Sequence, residues 1–442
     1  MNKVVIKRNE IDPILKIPRP CWLEKNWSFN KNPFDYFDEL DRPYLENEEG
    51  RGRFTDDSVI RGKKFIFEEN PTGNYFYVLV STPFNFYEDG IYKNFIDETV
   101  LNDIKQGKCK FIFYMDDDGH WFGKLPYFTN DAHTLKPIIK FIKKYNFKKD
   151  EIYFISHNCI LEDNSEKYPF TPLTCSAFSH KLQEGETIEY PLYVNYWHCE
   201  YILDDDYTFK DDKIEKLFLC YNHRIKPHRF YLFHELIRNN YLNDFLYSFK
   251  GEYVETYMEE YLEKIPQYLN DKNKKPLEDS IIKKFYEILP TTIETSEESA
   301  YPGDYYGQYL QIDDFEKTFF SIVTESEIAN DTIYFSEKTI KPILAKHPFI
   351  LIASPNSLLK LKSYGFKTFD KWWDESYDTC DYFIDRIEKV LEVIKYLKSK
   401  TKEELIQMRN EMKEVLIHNQ KLLLEFDTES FHKVLKNIKF NN

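Results

Sequence analysis

The chain has 442 residues, 42% of them hydrophobic and 17% aromatic, and a formal net charge of −15. Its 34 Tyr and 37 Phe supply core for two or three domains and exclude an intrinsically disordered chain. The acidic balance argues against broad binding to nucleic acid or anionic membrane, and no run approaches the ~18 apolar residues of a membrane helix.

Residues 1–70 are rich in Pro, Asn and charge, with aromatic patches around Trp22, Trp27 and Phe34. They are expected to form an irregular N-terminal segment packed on the first domain, because fully burying one such side chain is worth roughly 1.5–3 kcal/mol. Met1 to Arg8 lacks the apolar centre of a signal peptide. Between 71 and 205, strands predicted at 75–81, 108–115 and 152–156 alternate with helices at 91–105 and 135–145. That is the pattern of parallel α/β units. Residues 187–197 alternate like an added strand, and 204–214 read as a polar linker.

The pattern restarts over 212–398. Strands are predicted at 217–221, 245–249, 319–324 and 349–352, with a short one at 368–369. Helices are predicted at 228–239, 253–273, 277–288, 358–363 and 382–398. C-terminal helices follow over 400–442, at 402–424 and 428–438. The expected class is α/β, with two Rossmann-like domains and C-terminal helices. The seven cysteines are never closer than 16 positions apart (Cys159 to Cys175) and form no zinc pair or Cys-x-x-Cys. A reducing, cytoplasmic setting is the expectation.

Four stretches carry candidate chemistry. In 334–352, Ser336 is a plausible N-cap and Ile340, Ile343 and Leu344 recur at helical spacing. Pro348 then breaks the helix before an apolar strand. Glu337 could accept hydrogen bonds from a pair of hydroxyls, and Lys338 with the helix N-terminus could face an anion. In 220–229 a strand turns into a helix, a place where backbone N–H groups meet phosphates. There Arg229 suits bidentate contact with a diphosphate, and Arg224, Lys226 and His228 add positive potential. In 320–326, Thr324 and Glu325 end a strand and could line the same pocket. In 115–121, Asp116 and Asp118 follow an apolar strand. They could hold a divalent metal, or Asp118, with His120 behind it, could serve as a general base. A solvated helix cap, a basic loop and an acidic strand end are the plainer alternatives. Trp372 and Trp373 read as packing.

Tyr334-Phe335-Ser336-Glu337-Lys338 resembles the Tyr-Val-Thr-Glu-Lys element of α1,3-fucosyltransferases. The longer run resembles a group of glycosyltransferase-like proteins of large phages and giant viruses, over roughly 212–390. It continues through His347-Pro348-Phe349 and 364–369 to 373–378. The resemblance implies a GT-B fold, a nucleotide-diphosphate-sugar donor and inverting transfer to an acceptor hydroxyl, without a metal or other cofactor. It places Arg229, with Arg224 as the alternative, on the phosphates, Glu337 on the ribose and Tyr334 beside the nucleotide. A viral protein would work in the host cytoplasm. The acceptor (glycan, protein or modified base) stays open. So do two other readings: a metal-dependent GT-A-type transferase using Asp116 and Asp118, and a non-catalytic virion or binding protein that keeps the fold. On the leading reading, Glu337→Ala and Arg229→Ala should each cut turnover roughly tenfold or more with the melting temperature nearly unchanged.

Overall fold

The structure is a computed structural model, and it describes residues 4–7, 65–68, 71–81, 98–115, 135–174, 211–291, 293, 310–330, 332–425 and 431–440. The chain divides into two compact units. One draws on Met1–Gly123, Asn130–Ser179 and Asp427–Asn442, the other on Lys124–Thr129 and His180–Phe426.

The first unit holds six parallel strands: β1 (Val4–Lys7), β2 (Phe65–Glu68), β3 (Tyr75–Ser81), β4 (Cys109–Met115), β5 (Ile152–Ser156) and β6 (Thr171–Thr174). Their order is β2-β1-β3-β4-β5-β6. Phe111, Ile112 and Phe113 of β4 are all buried, as in a parallel strand covered on both faces. Helix α1 (Glu98–Lys105) precedes β4 and helix α2 (Leu135–Tyr145) precedes β5. On α2, Ile138, Phe141 and Ile142 are buried while Lys140, Lys143 and Lys144 are exposed, so its apolar stripe closes the sheet. The Phe141 ring meets Phe111 at 5.5 Å and Phe113 at 5.7 Å.

The second unit holds four parallel strands: β7 (Lys216–Arg224), β8 (Phe245–Glu252), β9 (Thr318–Thr324) and β10 (Phe349–Ile352). Their order is β10-β9-β7-β8. From β7 the chain crosses through α3 (Pro227–Arg238) to β8, and α4 (Val254–Asp271) and α5 (Asp279–Glu287) follow. Short α6 (Ile312–Glu316) leads into β9, and α7 (Glu337–Leu344) then crosses to β10 on the other side. The crossovers leave β7 and β9 in opposite directions. With right-handed connections this puts α3 and α7 on opposite faces. Beyond β10 come α8 (Ser357–Ser363), α9 (Phe383–Lys398), α10 (Lys402–Glu411) and α11 (Lys413–Glu425). On one face α9 packs on α3 and β10, and on the other α11 packs on α7.

Several sequence expectations change. Strands β1 and β2 lie inside the stretch read as irregular; four residues each are too few to show a period, and parallel partners lie far along the chain. Residues 368–369 are not a strand, because the Thr368 hydroxyl and the Phe369 N–H go to the Glu375 carboxylate rather than to a neighbouring strand. The single helix expected over 402–424 is broken at Met412. The last helix, α12 (Phe431–Asn437), lies on β1 in the first unit, and the Phe440 ring sits 5.1 Å from Phe76. The strand expected at 187–197 and the Asp204–Asp206 run lie outside the described residues.

Candidate functional site

The carboxyl ends of β7 and β9 lie side by side and each runs into a helix. β7 bulges between Asn222 and Arg224, and Pro227 then opens α3 at its first position. Lys226 precedes it in extended backbone, and its side chain does not cap this N-terminus. The first turn, Pro227 to Phe230, is buried, and the helix dipole adds positive potential there. A buried hydrogen bond from Thr324 Oγ1 to Asn222 Oδ1 (2.7 Å) ties the two strand ends together.

The start of α7 is closed. Ser336 Oγ accepts from Lys338 N at 3.2 Å, the N-cap its position predicted. Behind it lies Glu325, which is fully buried. Its carboxylate accepts from Ser336 N (3.0 Å), Ser336 Oγ (2.5 Å) and Thr339 Oγ1. Burial raises the Glu325 carboxyl above its ordinary range, while Lys338 and the Ser336 and Thr339 hydrogen bonds act against that rise.

Arg229 joins the two strand ends and is only 2% exposed. It donates to Arg224 O (3.0 Å), Thr324 O (3.1 Å) and Glu325 O (3.4 Å), and its Nε is buried without a partner. Burial lowers the guanidinium pKa, and the charges of Glu325 and Glu337 oppose that shift. The neighbouring His228 ring is buried, with Nε2 2.9 Å from Glu325 O. A carbonyl only accepts, so Nε2 carries the proton and Nδ1 is left without a partner. Burial, then the charges of Arg229 and Lys226, push His228 well below its ordinary pKa, so it is neutral.

The structure therefore brings together Arg224, Arg229, Glu325, Tyr334, Glu337 and Lys338, with Arg229, Glu325 and Tyr334 turned inward. Arg229 and Glu325 hold the two junctions from inside; the fork expected to grip a diphosphate is engaged on backbone carbonyls. Tyr334 is 3% exposed and packs inside the loop, not beside an open face. The outward groups are Arg224, which is exposed, and the half-buried Glu337 and Lys338, which pair with each other. Asp116, Asp118 and His120 lie outside the described residues. Among the described residues no cluster of three or more His, Cys, Asp or Glu is placed to hold a metal ion.

Sequence reasoning missed a second layer. Lys341, one turn beyond Glu337, is 5% exposed. Its ammonium lies 5.6 Å from the centre of the Tyr221 ring and 3.5 Å from Gln311 Oε1. Tyr221 in turn donates to Asp314 Oδ2 at 2.8 Å. Burial takes Lys341 down to about 8 and raises Asp314. The Glu337–Lys341 spacing of four was the available signal, since such pairs share a helix face.

An open groove of about 810 Å³ lies instead by the C-terminal end of α3, beside Glu235, Asn239, Lys274, Asp385 and Glu388. Lys274 pairs there with Asp385 (2.9 Å) and Glu388, so these charges are already matched.

No protein-family model matches this chain, and no curated protein matches it significantly.

Proposed function

We propose that this protein is a glycosyltransferase of the GT-B type, moving a sugar from a nucleotide-diphosphate sugar to an acceptor hydroxyl. One observation carries the reading: the strand order reverses between β7 and β9, and the candidate phosphate and ribose groups meet at that point. In open parallel sheets, ligands bind outside the carboxyl ends of the strands where the order reverses.

The chemistry follows from charge. As the bond between the anomeric carbon and the diphosphate oxygen breaks, negative charge grows on the leaving group. Arg224 and Lys338 offset it, with the dipole of α3 and the buried Arg229 adding potential from behind. These cations do the work a metal would do. Glu337 accepts from the ribose hydroxyls, releasing Lys338 toward the phosphates. The acceptor proton goes to a general base, for which Asp118, with His120 behind it, is the sequence candidate. Inversion rests on the fucosyltransferase resemblance.

The test is a thermal-shift panel of nucleoside diphosphates and nucleotide sugars, with and without EDTA. The expected result is stabilisation by one nucleotide, unaffected by EDTA. A shift that needs metal would move the chemistry to Asp116 and Asp118. No shift with any nucleotide would overturn the reading.

A further inference from the structure

A row of tyrosines opens α4, immediately beside the β7 junction. Arg224 of β7 pairs in register with Glu252, the last residue of β8. The next residue, Tyr253, sits in the left-handed region with φ 63° and ψ 16°. A bulky side chain adopts that conformation only at an energetic cost. The turn sends the chain from β8 into α4 and sets the Tyr253 ring 5.5 Å from the Arg224 guanidinium. Tyr257, one turn on, meets the Tyr253 ring at 6.2 Å and lies nearly parallel to Tyr261 (14°, 6.4 Å). Tyr261 is buried and its hydroxyl feels the Arg229 charge. The row therefore starts on Arg224 and runs into the interior at Tyr261, yet Tyr257 leaves 44% of its surface in solvent.

We infer that Tyr253 and Tyr257 form the shelf on which the transferred sugar of the donor rests, with Arg224 at its edge. The inference rests on the nucleotide-sugar reading above. It follows from the order of groups along the carboxyl edge of the sheet. Glu337, the ribose acceptor, and Lys338 are on the β9 side, Arg224 and Arg229 are at β7, and the tyrosines are on the β8 side. A nucleotide sugar runs in the same order, from ribose through diphosphate to hexose. The C–H face of a pyranose is apolar and carries slight positive charge, so it packs on the negative face of an aromatic ring. A guanidinium beside that ring can donate to the sugar hydroxyls or to the adjoining phosphate.

The test compares two ligands on full-length protein by calorimetry: the nucleoside diphosphate that stabilises the parent, and its hexose conjugates (glucose, galactose, mannose or fucose). Tyr257→Ala should weaken the preferred conjugate roughly fivefold or more. The free diphosphate should bind as before and the melting temperature should not move. Tyr257→Phe keeps the ring face and should bind like the parent. Equal weakening of diphosphate and conjugate by Tyr257→Ala, or no weakening of either, would overturn the shelf while leaving the donor site standing. If the parent binds no nucleotide at all, the donor reading fails and the shelf with it.

Discussion

The two helices that open at the sheet edge, α3 and α7, meet the same N-terminal problem in opposite ways. The start of α7 is locked: Ser336 caps it, and the buried Glu325 holds both Ser336 and Thr339. The start of α3 has a proline, no side-chain cap, and an exposed arginine just before it. One junction uses its polar groups on itself. The other has a buried first turn, and the charge at its exposed edge is Arg224. A site that binds an anion needs both, a cation at its edge and a fixed frame to aim it.

The most direct way to break this contrast is to unlock α7. Glu325→Ala removes the acceptor of three donors and a compensating charge of buried Arg229. It should cost about 3–5 kcal/mol in denaturant unfolding; a cost below about 1 kcal/mol would show that the lock is not structural. Arg229→Ala should also lower the melting temperature strongly, contrary to what its sequence context suggested, because its guanidinium holds three carbonyls inside the fold.

Acid tests the α3 junction and the far end of α7. His228 beside α3 is held well below its ordinary pKa, and His347 after α7 is held at about 3, in both cases chiefly by burial. His347 donates from Nε2 to Thr318 O (3.0 Å) and meets Ser321 Oγ through Nδ1 (2.9 Å), and burial keeps its ring neutral in the fold. Below a pH of about 6.5 the unfolded chain takes up these protons and the folded one does not. Stability is therefore fully present above that pH and falls on acidification, by about 1.4 kcal/mol per pH unit for each histidine. The raised Glu325 carboxyl acts in the opposite sense, taking up its proton in the fold first. His347→Gln should flatten the acid limb of the stability profile. An unchanged limb would remove His347 from this account.

Smaller effects sharpen the comparison. Glu337→Ala should weaken nucleotide binding roughly tenfold in calorimetry with little change in melting temperature, since this side chain faces outward beside Lys338. Ser336→Ala removes an N-cap and should cost about 1 kcal/mol, well short of the Glu325 change. If the two cost the same, the lock is the cap alone.

Much of the frame was legible. Strands β3, β4, β5, β7, β9 and β10 are apolar runs bounded by turns, and α7 shows its cap and its buried stripe in the letters alone. The strand–turn–helix at Cys220 to Arg229 was readable for the same reason, as was the stretch Ser336-Glu337-Lys338. Strands β1 and β2 were not, because short parallel strands take their identity from distant partners. Of the Tyr221, Asp314 and Lys341 layer only the Glu337–Lys341 spacing showed, because its members come from three separate elements.

What the sequence by itself determined is local: which residues are helical or extended, where a helix may start, and which types could meet a phosphate or a ribose. The direction each charged side chain takes was decided only by the tertiary structure. Arg229 and Arg224 are alike in sequence, five positions apart beside one turn. Packing of β9 against β7 buries the first among carbonyls and leaves the second in water. A charge in the interior must be matched by fixed partners, whereas one at the surface keeps its hydration, and only the fold determines which arginine is which.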